Sequence, residues 1–181
     1  MAKTKETKKI KKIKANFSRH NVNAEKSNES NELYQKSRFG EVVGDKYQYS
    51  LVEALYLVEK RRMEVKDSKN KIIKAKDFMK KVKNKDFFVR YNVFKDLRNR
   101  GYIVKTALKF GADFRVYDRG IKPGEDHAKW IVYPVHETGR LTWYDFSAKN
   151  RVAHSTRKNL LIGIVDDEGD VTYYTVSWTR P

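Results

Sequence analysis

Three side chains in the second half of this 181-residue chain carry groups that can move a proton or meet a phosphate: Tyr117, His127 and Lys158. Tyr117 closes the run Asp113-Phe-Arg-Val-Tyr117 and is followed by Asp118-Arg119-Gly120 and Lys122-Pro-Gly124. Gly and Pro there mark a loop, the kind of segment on which a rigid scaffold presents functional groups. His127 lies inside that loop or just beyond it, and an imidazole can give or accept a proton near neutrality. Lys158, preceded by Arg157, stands at the entrance to Leu160-Leu-Ile-Gly-Ile-Val165, the most apolar run of the chain. Each also has an ordinary structural reading: a strand-end tyrosine with a wet hydroxyl, a surface histidine, a solvated lysine. A second pattern, Asp118 and Glu125 with Lys129, can be forced into the two-acids-and-a-lysine set of a magnesium nuclease. No compact acidic pair sits on a strand beside that lysine, as a magnesium site requires.

The elements that must position these groups follow from hydrophobic periodicity. Asp86 reads as the cap of a helix in which Phe87, Tyr91 and Phe94 recur at helical spacing, with Leu97 continuing the stripe and Gly101 stopping it. Residues 102–106 and 113–117 read as strands; in the second, Phe114 and Val116 face one side and Asp113, Arg115 and Tyr117 the other. Residues 130–133 form a third strand, which Pro134 should end or confine to a sheet edge. A helix over 143–155 and a buried strand over 160–165 follow. Asp166-Asp-Glu-Gly-Asp170 is a turn, and 171–178 returns with Tyr174, Val176 and Trp178 on one face. The second half is thus a mixed sheet flanked by two helices. Upstream, Ser50-Leu-Val-Glu53 is a capping box, opening a helix with Leu51, Ala54, Leu55 and Val58 on one face. A short strand around 63–65 and a helix over 75–83, burying Phe78 and Val82, complete a smaller α/β unit. The expected division is an N-terminal α/β domain over 1–85 and a C-terminal domain over 86–181, with no internal repeat.

Residues 1–14 are rich in lysine, and 15–35 in Asn, Ser, Lys and Glu. Residues 1–35 therefore read as a basic, disordered start or a frayed first strand; functionally, they could be a flexible arm adding unspecific phosphate contacts. The chain carries a net charge of +17 with 39% hydrophobic residues, enough for a packed core under a surface that attracts polyanions. The lack of cysteine excludes disulfides, thiolate catalysis and thiolate metal sites. No apolar run approaches the roughly 20 residues needed to span a bilayer, and the basic start lacks the apolar stretch of a secretory signal, so the expected location is the cytoplasm.

The run from Asp96 to Gly120, together with Gly124-Glu-Asp-His127 and Arg151-Val-Ala-His-Ser-Thr-Arg-Lys-Asn-Leu-Leu-Ile162, resembles the signature of archaeal tRNA-intron endonucleases. The resemblance extends over residues 40–181 and is strongest after 85. It implies a restriction-endonuclease-like catalytic domain with Tyr117, His127 and Lys158 as catalytic residues. The implied reaction is transesterification: the ribose 2′-hydroxyl attacks the adjacent phosphorus and expels the 5′-oxygen, leaving a 2′,3′-cyclic phosphate. Tyr117 would be the base, His127 the acid and Lys158 the positive charge, with no metal or cofactor. The implied partners are precursor tRNA, cut at a bulge-helix-bulge junction, and further copies of the chain in a homotetramer. Arg151 would grip a bulged base, Arg119 is the other candidate substrate contact, and the acidic turn Asp166, Asp167, Glu168 and Asp170 would enter a basic cleft of another subunit. His136 and His154 read as structural or surface residues. A non-catalytic RNA-binding protein would explain the charge but not the three ordered motifs.

Overall fold

The structure, a computed structural model, describes residues 11–82, 86–107, 111–121, 123–124 and 126–179. The chain divides into two compact units, one ending at Lys81 and the next beginning at Val82.

The first unit is built on β1 (Ile13–Phe17), β2 (Asn21–Glu25), β3 (Glu41–Val43), β4 (Lys46–Ser50) and β5 (Met63–Lys66). They form one sheet in the order β3-β4-β2-β1-β5, parallel at β1–β5 and antiparallel elsewhere. Strict alternation buries Ile13, Ala15, Val22, Ala24, Tyr47 and Tyr49. Three helices belong to the same unit: α1 (Asn28–Ser37), α2 (Leu51–Glu59) and α3 (Ala75–Lys81). Of the two alternatives for 1–35, the first strand is found and the disordered start is not, where that segment is described, although the strand is not frayed. β1 lies inside the sheet between β2 and β5, and α1 opens on a reciprocal capping box of Ser27 and Ser30. The apolar signal there rests partly on Ala15 and Ala24, too small to stand out among Asn and Lys. Residues 1–10, with most of the lysines of the basic start, lie outside the described residues.

The capping box of Ser50 and Glu53 forms as expected. Buried Glu53 also accepts a bond from the Gly40 N–H at 3.1 Å. α3 ends at Lys81; Phe78 is buried, but Val82 lies beyond the helix and only half-buried.

The second unit comprises α4 (Phe87–Asn99), β6 (Ile103–Thr106), β7 (Phe114–Tyr117), β8 (Trp130–His136), α5 (Trp143–Ser155), β9 (Asn159–Val165) and β10 (Val171–Val176). Its sheet runs β10-β9-β8-β7-β6, with β8–β9 parallel and every other pair antiparallel. α4 buries the predicted stripe Phe87, Tyr91, Phe94 and Leu97, and Gly101 takes φ 89° just after it. Asp86 does not cap the helix as expected: its backbone is already helical and its side chain makes no capping bond. α4 packs on one face of the sheet, Phe94 against Phe114 with ring centroids 5.9 Å apart. α5 covers the other, where Ala153 joins Ile131, Tyr133 and Leu160 in one apolar cluster. Phe114 pairs with Val132 and Arg115 with Ile131, so Arg115 and Tyr117 lie on the α5 side.

Pro134 neither ends β8 nor places it at an edge, contrary to expectation; the strand is central and continues to His136. Pairing with β7 stops at Val132, while the Glu137 N–H still bonds the Val165 carbonyl on β9 at 2.9 Å. Backbone groups alternate in direction along a strand, so Pro134 turns its nitrogen to the side where pairing has ended and no donor is missed. Tyr174 and Trp178 are each 56% exposed, and Trp178 lies past the end of β10.

Candidate active site

β7 runs antiparallel to β8 and β8 parallel to β9, with Val116, Trp130 and Asn159 in one row across the sheet. The last residue of β7 and the first residues of β8 and β9 therefore meet at one end of the sheet. Tyr117 is that last residue of β7, His127 lies three residues before β8, and Lys158 immediately precedes β9. All three predicted side chains thus come from segments converging on one sheet end. Alternation through Arg115 and Leu160 puts Tyr117 and Lys158 on the α5 side. Lys129 fastens the row: its N–H bonds the Val116 carbonyl at 2.9 Å and its carbonyl accepts the Asn159 N–H at 3.0 Å.

Each group is held differently. Tyr117 is 5% exposed and pairs with Ile103 on β6. His127 is exposed on a loop bent at Gly120 (φ 81°) and Gly124 (φ 96°), and its N–H bonds the Asp126 carboxylate at 2.6 Å. Lys158 is placed by the way α5 ends. Arg157 adopts a left-handed backbone (φ 54°); its N–H bonds the His154 carbonyl at 3.0 Å and the Lys158 N–H the Ala153 carbonyl at 2.9 Å. That double bond pattern is a Schellman stop, made here with arginine where glycine is usual. The Lys158 ammonium donates to the Thr156 carbonyl at 2.8 Å, at the helix end where carbonyl dipoles favour a cation.

Around this end the Asp118 carboxylate meets Lys129 Nζ at 2.8 Å and accepts the Arg119 N–H at 2.9 Å. The Lys129 hydrogen bond, then that N–H, hold the Asp118 carboxyl below the usual carboxylate range. The Lys129 ammonium lies 4.6 Å from the centre of the Trp130 ring, and the Arg119 guanidinium 5.0 Å from that of Tyr102. Sequence reasoning did not foresee Lys129 as the backbone link between β7 and β9; its place just before a strand was the available signal. Of the magnesium pattern, Asp118 and Lys129 do meet, while Glu125 lies outside the described residues. Among the described residues no three His, Asp or Glu side chains cluster as a metal would need.

Arg151 is exposed on α5, two turns before Lys158. In the acidic turn, Asp166 faces inward and accepts the N–H groups of Glu168 at 3.0 Å and Asp170 at 2.9 Å. Asp167 lies 3.2 Å from His136 Nε2, and Glu168 and Asp170 are exposed. His154 packs its ring 5.0 Å from that of Trp178. A hydroxyl, an imidazole and an ammonium brought to one sheet end can together take a proton, deliver one and balance developing negative charge.

A two-unit α/β enzyme with its polar groups at one end of the second sheet is the class these features define. Residues 87–173 match the family model of the tRNA intron endonuclease catalytic C-terminal domain, and residues 13–79 that of the N-terminal domain of the same enzymes. The tRNA-splicing endonuclease of Thermococcus kodakarensis is 48% identical over 155 residues, 84% of this chain and 90% of the relative. Those of Methanothermobacter thermautotrophicus (41% over 149 residues, 82% of this chain and 87% of the relative) and Nanoarchaeum equitans (45% over 148 residues, 77% and 94%) are similar over most of the chain. The chain belongs to the tRNA intron endonuclease family. No described helix is long and apolar enough to cross a membrane.

Proposed function

We propose that this enzyme excises introns from precursor tRNA at bulge-helix-bulge junctions by metal-independent transesterification, leaving 2′,3′-cyclic phosphate and 5′-hydroxyl ends. The observation that carries this reading is the convergence of Tyr117, His127 and Lys158 on one end of the second sheet. Acting as its phenolate, Tyr117 takes the proton of the attacking 2′-hydroxyl and becomes the neutral phenol. His127 protonates the leaving 5′-oxygen, and Lys158 balances the charge of the phosphorane. The nucleophile lies in the substrate, so the protein supplies proton transfer and fixed charge. Arg151, exposed along α5, supports a role in gripping an unstacked base, to which a guanidinium plane is well suited. Arg119 is the second arginine proposed to meet the substrate, from the loop after Tyr117. The same reading makes the enzyme a homotetramer in which the acidic turn docks into a basic cleft of another copy. Exposed carboxylates on so positive a subunit support it.

The test is cleavage of an intron-containing precursor tRNA in excess EDTA, with analysis of the product ends. Two cuts leaving cyclic phosphates are expected. Cleavage only with added magnesium would replace this mechanism with that of a metal nuclease. Tyr117→Phe and His127→Ala should each lower the single-turnover rate by about 10²- to 10⁴-fold while leaving RNA binding intact. Variants that cleave normally would remove those residues from the reaction.

A further inference from the structure

Two aromatic side chains at the head of α5 are more open to solvent than any other large hydrophobic group among the described residues. Trp143 is 83% exposed and Tyr144 76%. Trp143 leans edge-on against Phe146 at 5.9 Å, which fixes its base and leaves a ring face free. Ala153 marks the buried side of the helix. Tyr144 and Arg151 are seven residues apart, two helical turns, and so share the outer face, with Trp143, Ser147 and His154 flanking them. The rise of the helix sets Tyr144 about 10 Å along the axis from Arg151. The stripe thus runs along α5 from the aromatic pair to Arg151.

Its charge is net positive: Arg140 precedes the aromatic pair and Arg151 follows it on the helix, against Asp145. Lys149 turns to the sheet side, 4.3 Å from the centre of the Tyr133 ring. Asp145 is already engaged, accepting the Thr142 hydroxyl at 2.5 Å while its N–H bonds that hydroxyl oxygen at 3.0 Å. Aromatic rings on a basic surface are the combination that holds unpaired nucleotides: the cations follow the backbone and the rings stack on bases.

We propose that Trp143 and Tyr144 form a stacking platform for unpaired nucleotides of the RNA substrate, two turns of α5 beyond Arg151. The proposal rests on the functional reading above and adds a subsite to it. Its charge complements a polyanion rather than a second copy of this basic chain.

The test uses the full chain and a precursor tRNA with 2′-deoxyribose at both cleavage positions, which binds without being cut. At fixed ionic strength, Trp143→Ala and Tyr144→Ala should weaken binding roughly five- to a hundred-fold, the worth of one stacked base. On cleavable substrate they should raise KM with kcat unchanged, and Trp143→Phe and Tyr144→Phe should keep most of the affinity. Alanine variants that bind like the wild type would overturn the platform. So would an affinity loss accompanied by a smaller particle in light scattering, which would make this face a protein interface. Failure of the wild type to cleave precursor tRNA would instead overturn the underlying reading, so the two failures are distinct.

Discussion

At the scale of single residues, the site depends on backbone as much as on side-chain chemistry. Tyr117, His127 and Lys158 stand out as candidates because three separated motifs resemble one family; their types alone would also suit a strand end, a loop and a strand entrance. The left-handed turn at Arg157 that sets Lys158 was not legible, since arginine rarely marks such a position. Nor was the ion pair of Arg90 Nε with Asp113 Oδ1 at 2.7 Å, which joins residues distant in sequence. Burial raises the Asp113 carboxyl above its ordinary value of 3.8, outweighing the favourable charge of Arg90. As pH rises from that value through the raised one, the unfolded chain releases a proton that the folded protein retains. Stability therefore falls across this window, and the deficit persists above it. Asp113→Asn, which cannot ionise, should gain in unfolding temperature relative to the wild type as pH rises from 3.8. A difference that does not change with pH would mean that Asp113 ionises alike folded and unfolded.

At the scale of elements, long periodic helices were readable and strand context was not. The spacing of Phe87, Tyr91, Phe94 and Leu97 announced α4, and the helix expected over 143–155 is α5 as observed. Pro134 misled because the rule against proline within a sheet applies only where its nitrogen would face a partner strand. α1 was missed, and β1 was read only as a frayed strand, because two alanines and a Ser27–Ser30 box carry too little local signal without the neighbours that bury them. Gly163 on β9 has no positive φ to explain it; its reason is packing. A Cβ there would stand 3.0 Å from Val93 Cγ2 on α4 and 3.3 Å from Tyr173 Cε1 on β10. Gly163→Ala should therefore wedge α4 from the sheet and destabilise the protein by about 1–3 kcal/mol. Urea unfolding measures this, and an unchanged midpoint would show that α4 shifts without strain.

At the scale of the whole molecule, a net charge of +17 bears directly on the proposed assembly of identical subunits. Copies this positive repel one another over roughly the 8 Å screening distance of physiological salt. A contact between them needs local negative charge, and the proposed docking of the acidic turn provides it. The turn allows a clean test because its carboxylates divide the work. Asp166 accepts two backbone N–H groups and shapes the turn, so replacing it would confuse folding with docking. Glu168 is exposed, and so is Asp167, whose carboxylate lies 3.2 Å from His136 Nε2 at the surface. Asp167→Asn with Glu168→Gln should leave unfolding nearly unchanged, since surface charges of this kind contribute about 1 kcal/mol or less. The same double variant should dissociate into smaller particles in light scattering at moderate salt, and cleavage should fall with it if each cut needs the complete assembly. Raising salt on the wild type should act in the same direction by screening the same attraction. A double variant with the wild-type mass and activity would reduce the turn to an ordinary hairpin with solvated carboxylates. The proposed assembly would then have to rest on apolar contacts, with the exposed Tyr174 and Trp178 on and beside β10 as the first place to look.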